Sequence, residues 1–87
     1  MDTPGDRIKL KIDELKYEKL KMTDADKLKL YGLYKQATLG NAKTKDSPGW
    51  FDFTGQAKYD SWRKNKGMSS EHAEQQYYKY IDYIKTR

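Results

Sequence analysis

The sequence predicts an all-α fold with four helices in a single domain, residues 1–87. Its 87 residues are a length typical of one small domain. Apolar residues recur three and four positions apart in four stretches, a spacing that places them on one face of a helix. The links between these stretches are short, except for one loop. Together these observations predict a helical bundle with a small core.

The first helix is predicted to begin at Thr3 and Pro4 and to end near Leu20 or Lys21. A threonine hydroxyl can cap a helix, and proline is well tolerated at the first helical position. Lysines occupy most of the remaining surface. The apolar stripe of this helix has three members, spaced i, i+4 and i+7: Ile8, Ile12 and Leu15.

The second helix is predicted to begin after Thr23 and to run to about Leu39. Thr23 can cap it, and Asp24 and Asp26 lie in its first turn, where the helix dipole favours anions. Gly40 follows the last apolar position and can adopt the positive φ that commonly ends a helix. We therefore expect the helix to stop at Gly40.

Residues 41–54 do not show a helical pattern, and the run from Ser47 to Gly49 indicates a turn. A loop this long is unusual in so small a domain and is often functional. It carries three aromatic residues, Trp50, Phe51 and Phe53. Because aromatic side chains at this density favour burial, we expect the loop to pack against the body and close one end of the bundle.

The last two helices complete the bundle. We expect the third to begin at Thr54 or Gly55 and to end near Gly67. Ser69 is placed to cap the fourth, and the adjacent Ser70 has the same structural explanation. The apolar stripe of the fourth helix has helical spacing throughout: Ala73, Tyr77, Tyr80, Ile81 and Ile84.

Composition limits the possible partners. A net charge of +5 favours a polyanion, which could be a nucleic acid, an anionic membrane or a multiply phosphorylated small molecule. The absence of cysteine suits a reducing compartment. No apolar run approaches the ~20 residues of a membrane span, and residues 1–7 lack the apolar core of a signal peptide. We expect a cytoplasmic monomer without stable membrane insertion.

The sequence lacks the residue patterns of common enzyme active sites. His72 is the only histidine, so neither a histidine relay nor a multi-histidine metal site can form. Glycine-rich phosphate loops of the usual patterns are absent. Most carboxylates alternate with lysines along the helices, as in ordinary surface ion pairs. We expect a protein that is not an enzyme and needs no metal or cofactor.

Nucleic-acid binding is the main alternative, because aromatic side chains and positive charge are both present. However, the acidic residues are spread along the same helices as the lysines. No homeodomain, helix-turn-helix or zinc-binding pattern appears. A helix lying on a membrane is less favoured still, because the apolar stripes are needed to build the core. We therefore expect no nucleic-acid partner.

The second helix carries an unusual face. Tyr31, Tyr34 and Lys35 are three or four positions apart and so lie together. Aromatic rings beside a cation can hold a planar heterocycle and a phosphate. Core packing is the competing explanation for both tyrosines, and periodicity alone favours the core for Tyr77. An apolar stripe for packing lies alongside this face: Leu30, Leu33 and Ala37.

This helix carries the run Leu-Tyr-Gly-Leu-Tyr-Lys-Gln-Ala-Thr-Leu-Gly at 30–40, which strongly resembles the signature of the acyl-CoA-binding protein family. The resemblance continues through Pro-Gly-Trp-Phe-Asp-Phe at 48–53, Gly-Gln-Ala-Lys-Tyr-Asp-Ser-Trp at 55–62 and Lys-Gly-Met-Ser at 66–69. Ala73 and Tyr77 follow at the expected distance. In all, the resemblance extends over roughly residues 8 to 84.

The resemblance implies an up-down-down-up four-helix bundle that binds medium- to long-chain fatty acyl-CoA esters. It also implies an intracellular acyl-CoA carrier and pool former in lipid metabolism. Three positions are expected beside the acyl chain: Ile8, Ile12 and Leu28. Six are expected at the CoA nucleotide and phosphates: Lys16, Tyr31, Tyr34, Lys35, Lys58 and Tyr77.

The chain departs from the family pattern in places. Tyr59 stands where a tryptophan is usual, and Ser47 replaces the usual basic residue before Pro-Gly. The loop after residue 40 is longer by one residue. Helix four also carries three tyrosines to which the resemblance assigns no role: Tyr78, Tyr80 and Tyr83.

Overall fold

The computed structural model of the chain describes residues 3–15 and 20–87. These two ranges contain four α-helices, which are α1 (Pro4–Leu15), α2 (Asp24–Leu39), α3 (Phe53–Arg63) and α4 (Ser70–Thr86). A single 3-10 turn, Thr44–Asp46, lies in the loop between α2 and α3. No β-strand occurs within these two ranges. The all-α prediction is confirmed.

Helix α1 begins as predicted, because the Thr3 hydroxyl accepts a 3.1 Å hydrogen bond from the backbone N–H of Asp6. Its described part ends at Leu15, and the chain from Leu20 to Thr23 is not helical. Leu20 and Lys21 therefore do not belong to α1, and the predicted end near them lies next to residues 16–19, outside the described residues. Leu20 packs against the core from the extended link, so its apolar contact does not require a helix.

Helix α2 has the predicted cap at each end. At the start, Thr23 accepts from the Asp26 N–H at 3.1 Å, and the Asp26 carboxylate accepts from the Thr23 N–H at 2.8 Å. At the end, Gly40 has a φ of +77° and its N–H donates to the carbonyl of Gln36. This positive φ favours glycine and explains the stop.

Helix α3 begins at Phe53, one residue before the earlier of the two predicted starts. Asp52 caps it by accepting a 2.9 Å hydrogen bond from the Gly55 N–H. The helix ends at Arg63. The predicted end near Gly67 is wrong, because tighter i to i+3 backbone bonds replace the helical pattern after Arg63 and form a turn.

Helix α4 begins as predicted. The Ser69 hydroxyl accepts a 3.1 Å hydrogen bond from the backbone N–H of His72, which confirms the capping role. His72 itself is exposed and its ring lies 3.2 Å from the Gln76 amide. Four residues of the predicted stripe are buried, whereas Tyr80 is only half-buried.

Helix α2 is the centre of the bundle and packs against α1, α3 and α4. Its backbone comes especially close to α3 at Gly32. A Cβ atom on this glycine would lie 2.4 Å from the carbonyl oxygen of Ser61, so only glycine fits without movement. The main core cluster draws on three helices: Ile8, Leu30, Leu33, Ala37, Ala73, Tyr77, Ile81 and Ile84.

A buried carboxylate joins α1 to α4. The guanidinium of Arg7 donates two hydrogen bonds to Glu74, at 2.6 and 2.8 Å, and the Tyr78 hydroxyl donates a third at 2.7 Å. The Arg7 hydrogen bonds, together with that of Tyr78, lower the pKa of Glu74 despite its burial. Burial and the hydrogen bond to Glu74 raise the pKa of Tyr78 to about 12.

A second buried carboxylate joins α2 to α4. Asp26 accepts a 2.7 Å hydrogen bond from the Tyr80 hydroxyl and is paired with Arg87. These hydrogen bonds, those of Arg87 foremost, lower the pKa of Asp26 strongly. Tyr83 packs on the Tyr80 ring with centroids 5.6 Å apart. Tyr78, Tyr80 and Tyr83 therefore have structural contacts on α4.

The loop aromatics do not close the end of the bundle. Trp50, Phe51 and Phe53 are 85%, 69% and 82% exposed, so the prediction that they pack against the body is wrong. The Asp52 N–H donates to the Gly49 carbonyl at 3.0 Å, which forms a turn with Trp50 and Phe51 at its centre. Both central side chains of this turn lie largely in solvent.

Polar contacts close that end of the bundle instead. The indole N–H of Trp62 donates to the Gly40 carbonyl at 2.7 Å. The amide N–H₂ of Gln36, fully buried, donates to Asn41 Oδ1 and to the Met68 carbonyl, both at 2.9 Å. These hydrogen bonds join the end of α2 and the chain after it to α3 and to the turn before α4.

Residues 3–15 and 20–87 contain neither a membrane-spanning helix nor a cluster of metal-ligating side chains. No helix there combines the length and the apolar character needed to cross a lipid bilayer. The same ranges contain no cluster of three or more histidine, cysteine, aspartate or glutamate side chains arranged to hold a metal ion.

Candidate functional site

Two surface depressions meet at Tyr31. One, the apolar groove, has a volume of about 380 Å³ and is lined by Ile12, Met22, Lys27, Leu30, Tyr31, Tyr34 and Tyr77. The other, the basic pocket, has a volume of about 280 Å³ and is lined by Tyr31, Lys35, Leu39, Asp46, Pro48, Gly55, Lys58, Tyr59 and Trp62.

Helix α2 supplies the residues at the junction. Tyr31 and Tyr34 lie on the groove side, and Lys35, one turn after Tyr31, lies in the basic pocket. The close approach of α3 at Gly32 brings Lys58 to the opposite wall of that pocket. The helical spacing in the sequence and the packing of α2 on α3 together build the site.

Two cations flank the Tyr31 ring. The ammonium nitrogen of Lys58 lies 5.4 Å from the ring centroid, and that of Lys35 lies 5.7 Å from it. Lys35 also lies 5.6 Å from the centroid of the Trp62 ring. Among the described residues, no carboxylate lies within ion-pair distance of either ammonium. The pocket therefore presents positive charge and aromatic surface to a ligand.

Tyr77 forms part of the floor of the groove. It is buried on α4, and burial raises the pKa of its hydroxyl to about 12, with a smaller contribution from Tyr34. The hydroxyl is therefore neutral and able to donate a hydrogen bond at neutral pH. Tyr77 thus lines the groove and also belongs to the core.

The structure brings most of the predicted site residues together. Four of the nine line the apolar groove, and Tyr31 is one of these four. Two more, both lysines, line the basic pocket, which Tyr31 also lines. Ile8 is fully buried in the core, and Leu28 is half-buried outside the lining of both depressions. Lys16 lies outside the described residues. The six in the two depressions are Ile12, Tyr31, Tyr34, Lys35, Lys58 and Tyr77.

Several lining residues were not predicted as site residues. Lys27 precedes Tyr31 by one helical turn, so spacing alone could have indicated it. Trp62 follows Lys58 by one turn and could have been found in the same way. Met22 lies in the link before α2 and reaches the groove only through the tertiary fold, which gives no periodic signal.

Comparison with known proteins gives consistent sequence matches. The family model described as "Acyl CoA binding protein" matches residues 7–81. A Manduca sexta protein named acyl-CoA-binding protein homolog is 46% identical over 55 residues, covering 63% of this chain and 61% of that protein. Acyl-CoA-binding protein 2 of Saccharomyces pastorianus is 47% identical over 55 residues, covering 63% and 62%. The matches thus span about three-fifths of these relatives.

Solved structures match nearly the whole chain. The crystal structure of Oryza sativa acyl-CoA-binding protein 2 has a TM-score of 0.74 and 32% identity, covering 95% of this chain and 88% of that one. The solution structure of the Babesia bovis acyl CoA binding protein also has a TM-score of 0.74, with 27% identity and coverage of 97% and 96%. The predicted up-down-down-up fold is confirmed. The chain belongs to the acyl-CoA-binding protein family.

Proposed function

We propose that this chain binds medium- to long-chain fatty acyl-CoA esters and acts as an intracellular carrier and pool former for them in lipid metabolism. Its family and the names of its relatives support this function. The observation that carries the proposal is the meeting of the apolar groove and the basic pocket at Tyr31. An acyl-CoA ester likewise joins an apolar chain to a highly charged nucleotide.

The basic pocket suits the CoA nucleotide. CoA carries a purine, a pyrophosphate and a 3′-phosphate. Lys35 and Lys58 can form charge-assisted hydrogen bonds with phosphate oxygens, and such bonds are stronger than neutral ones. The rings of Tyr31 and Tyr34 offer surfaces on which a purine can stack. These roles follow from the chemistry of the side chains and from the family resemblance.

The apolar groove suits the acyl chain. Each methylene buried from water contributes about 0.8 kcal/mol, so a palmitoyl chain contributes on the order of 10 kcal/mol before losses from ordering and partial exposure. Ile12, Leu30 and Met22 supply aliphatic contacts along the groove, and Tyr77 lies beneath them. A groove open to solvent leaves part of the chain uncovered, and the ligand itself can fold over this part.

The three remaining predicted positions have less direct roles in this proposal. Because Ile8 is fully buried, we assign it to the wall behind the acyl chain. Leu28 is half-buried on α2 and is proposed to support the same side. Lys16 is proposed as a further phosphate contact on the family resemblance alone.

The proposal includes the setting in which the protein works. We infer a cytoplasmic monomer that binds its ligand reversibly, performs no catalysis and has no nucleic-acid partner. The mixture of acidic and basic residues along the helices supports the last point, because a DNA-binding surface is normally more uniformly basic. Short oligonucleotides should therefore not displace a bound acyl-CoA at physiological salt.

Calorimetric titration with a series of CoA compounds tests the proposal. We expect affinity to rise from free CoA through octanoyl-CoA and dodecanoyl-CoA to palmitoyl-CoA, because each added methylene buries more apolar surface. Palmitate without CoA serves as the matched control and should bind weakly, because it lacks the nucleotide. Equal affinity for free CoA and palmitoyl-CoA would contradict the role of the groove. Strong competition by an oligonucleotide would favour the nucleic-acid alternative.

A further inference from the structure

The loop between α2 and α3 presents an aromatic tip, which consists of Trp50, Phe51 and Phe53. All three side chains are largely exposed. Trp50 and Phe51 contact each other edge to face, with ring centroids 5.7 Å apart. Three large aromatic residues within four positions form a concentrated apolar surface. Such a surface on a folded domain commonly marks an interaction site.

We propose that the aromatic tip inserts into the headgroup region of an anionic membrane and reversibly docks the protein there. This contact is peripheral and needs no membrane-spanning segment. It gives the exposed aromatics a place to be buried that the bundle itself does not offer. Its use in loading and unloading acyl-CoA rests on the proposed function, whereas the docking does not.

The tip is directly connected to the rim of the basic pocket. Pro48 lines the pocket and is separated from the tip only by Gly49. Gly55 also lines the pocket and follows Phe53, the last residue of the tip, by two positions. The turn closed by the Asp52 N–H holds the tip in place between these two rim residues. Docking through the tip therefore brings the mouth of the pocket close to the lipid surface.

Charge around the tip complements an anionic surface. Lys43 and Lys45 are exposed on the loop that leads to it. Two exposed carboxylates on the same loop balance these lysines: Asp46 accepts from the Lys43 N–H at 3.0 Å, and Asp52 accepts from the Gly55 N–H at 2.9 Å. The excess positive charge beside the tip therefore comes from Lys35 and Lys58 in the adjoining basic pocket. The whole chain carries a net charge of +5, which adds long-range attraction to anionic lipid.

The shape and composition of the tip favour lipid over a protein partner. A stable protein interface buries about 800 Å² on each side, more than three side chains at the end of a turn can supply. Tryptophan and phenylalanine beside lysines are typical of segments that bind at the membrane interface. A projecting tip can enter a soft headgroup layer, whereas a protein partner would need a matching cavity.

Vesicle sedimentation and tryptophan fluorescence test this proposal. Vesicles of phosphatidylcholine alone are compared with vesicles that also contain phosphatidylserine. We expect the protein to sediment with the anionic vesicles and to lose binding as salt is raised, because salt screens the lysines. Trp50 is exposed and Trp62 is buried, so binding should shift the emission to shorter wavelength through Trp50.

Matched variants locate the contact. The double variant Phe51→Ala/Phe53→Ala keeps Trp50 as a reporter and should lower the vesicle partition coefficient by roughly tenfold or more. Leu10→Ala removes an exposed apolar residue from α1 and should bind vesicles like the unaltered protein. Palmitoyl-CoA affinity in solution should be unchanged in both variants, which separates docking from ligand binding.

Three results would overturn the docking proposal. The unaltered protein could fail to sediment with anionic vesicles, or the double variant could sediment as well as the unaltered protein. The Trp50 emission could also shift with protein concentration in the absence of lipid, which would assign the tip to self-association. Absence of palmitoyl-CoA binding with vesicle binding intact would instead contradict the proposed function alone.

Discussion

The ammonium nitrogen of Lys58 on α3 lies 5.4 Å from the ring centroid of Tyr31 on α2. With Lys35 on the other approach to the same ring, two positive charges share one small pocket. Like charges in one pocket repel each other, and a bound phosphate relieves the repulsion. The pocket is therefore electrostatically prepared for an anion.

Replacing Lys58 tests this arrangement. In Lys58→Ala, we expect the Kd for palmitoyl-CoA to rise roughly tenfold, about 1.5 kcal/mol, because one charge-assisted hydrogen bond to phosphate is lost. The helical circular-dichroism signal should be unchanged, since the side chain is exposed and supports no core contact. Calorimetric titration gives the affinity.

Lys66→Ala is the matched control for this variant. Lys66 is also exposed, but it lies after α3 and lines neither the apolar groove nor the basic pocket. Lys66→Ala changes the net charge by the same amount as Lys58→Ala and should leave the affinity for palmitoyl-CoA nearly unaltered. Equal losses in the two variants would show that overall charge, and not the position of Lys58, attracts the ligand.

The helix boundaries that the sequence predicted well are those set by local contacts. Thr23, Gly40 and Ser69 act within a few residues of their own position, so their types and order are enough to indicate a cap. The shared face of Tyr31 and Lys35 is likewise a consequence of helical spacing. Such features need no knowledge of the tertiary fold.

The failures occur where burial depends on distant parts of the chain. Aromatic content alone suggested that Trp50 would be buried, but it lies at the centre of the turn closed by the Asp52 N–H and is 85% exposed. Met22 lines the groove from the non-helical link before α2, where no periodic spacing could indicate it. The family resemblance placed Ile8 beside the acyl chain, and only the tertiary fold shows that it is fully buried in the core cluster, so its proposed place is behind that chain.

Acid should destabilise the fold through Glu74. Hydrogen bonds from Arg7 lower its pKa in the folded state below the ordinary value of 4.5. A carboxylate whose pKa is lower in the folded state than in the unfolded state stabilises the fold at pH values above the unfolded-state pKa. This stabilisation is lost as the pH falls through the folded-state pKa. We expect the free energy of unfolding, measured with urea, to fall steadily below about pH 4.5.

Glu74→Gln isolates this contribution. It should lower the free energy of unfolding at pH 7 by about 1–3 kcal/mol, because a buried ionic hydrogen-bond network is weakened, and should make the loss in acid shallower. The control is Asp60→Asn, which breaks an exposed pair with Arg63 and should have a much smaller effect. Equal pH dependence in Glu74→Gln and the unaltered protein would contradict the role of Glu74.

The close approach of α2 and α3 should make Gly32 intolerant of a side chain. Helix propensity alone favours alanine over glycine by about 1 kcal/mol. In Gly32→Ala, however, the new methyl group meets the Ser61 carbonyl, which is backbone and cannot rotate away. We expect a net loss of about 1–3 kcal/mol in the free energy of unfolding, measured with urea.

The same variant should weaken palmitoyl-CoA binding, because separation of α3 from α2 moves Lys58 away from Tyr31. The control is Ala25→Gly, at an exposed position in the same helix. It exchanges the same two residue types without a steric contact to α3, and it should leave the affinity for palmitoyl-CoA unchanged. If Gly32→Ala were instead more stable than the unaltered protein, α2 and α3 would be free to move apart. The claim that their contact fixes the distance from Lys58 to Tyr31 would then be contradicted.

Alkaline titration should report occupancy of the groove through Tyr77. Burial raises its folded pKa to about 12, above the ordinary value of 10.0, so its contribution to stability is complete below pH 10 and is lost as pH rises through the folded value. Among eight tyrosines, Tyr77→Phe should remove a late-titrating component from the tyrosinate absorbance.

Bound palmitoyl-CoA should raise the Tyr77 pKa further, because an acyl chain over the groove excludes water from the ring and disfavours its ionised form. Tyr78 also has a pKa of about 12, but it lies outside this groove and donates to Glu74. The ligand-induced shift should therefore persist in Tyr78→Phe and disappear in Tyr77→Phe. Because Tyr31 and Tyr34 also line the groove, the readout is the late-titrating component alone. If the ligand left that component unmoved in the unaltered protein, the acyl chain would lie away from Tyr77.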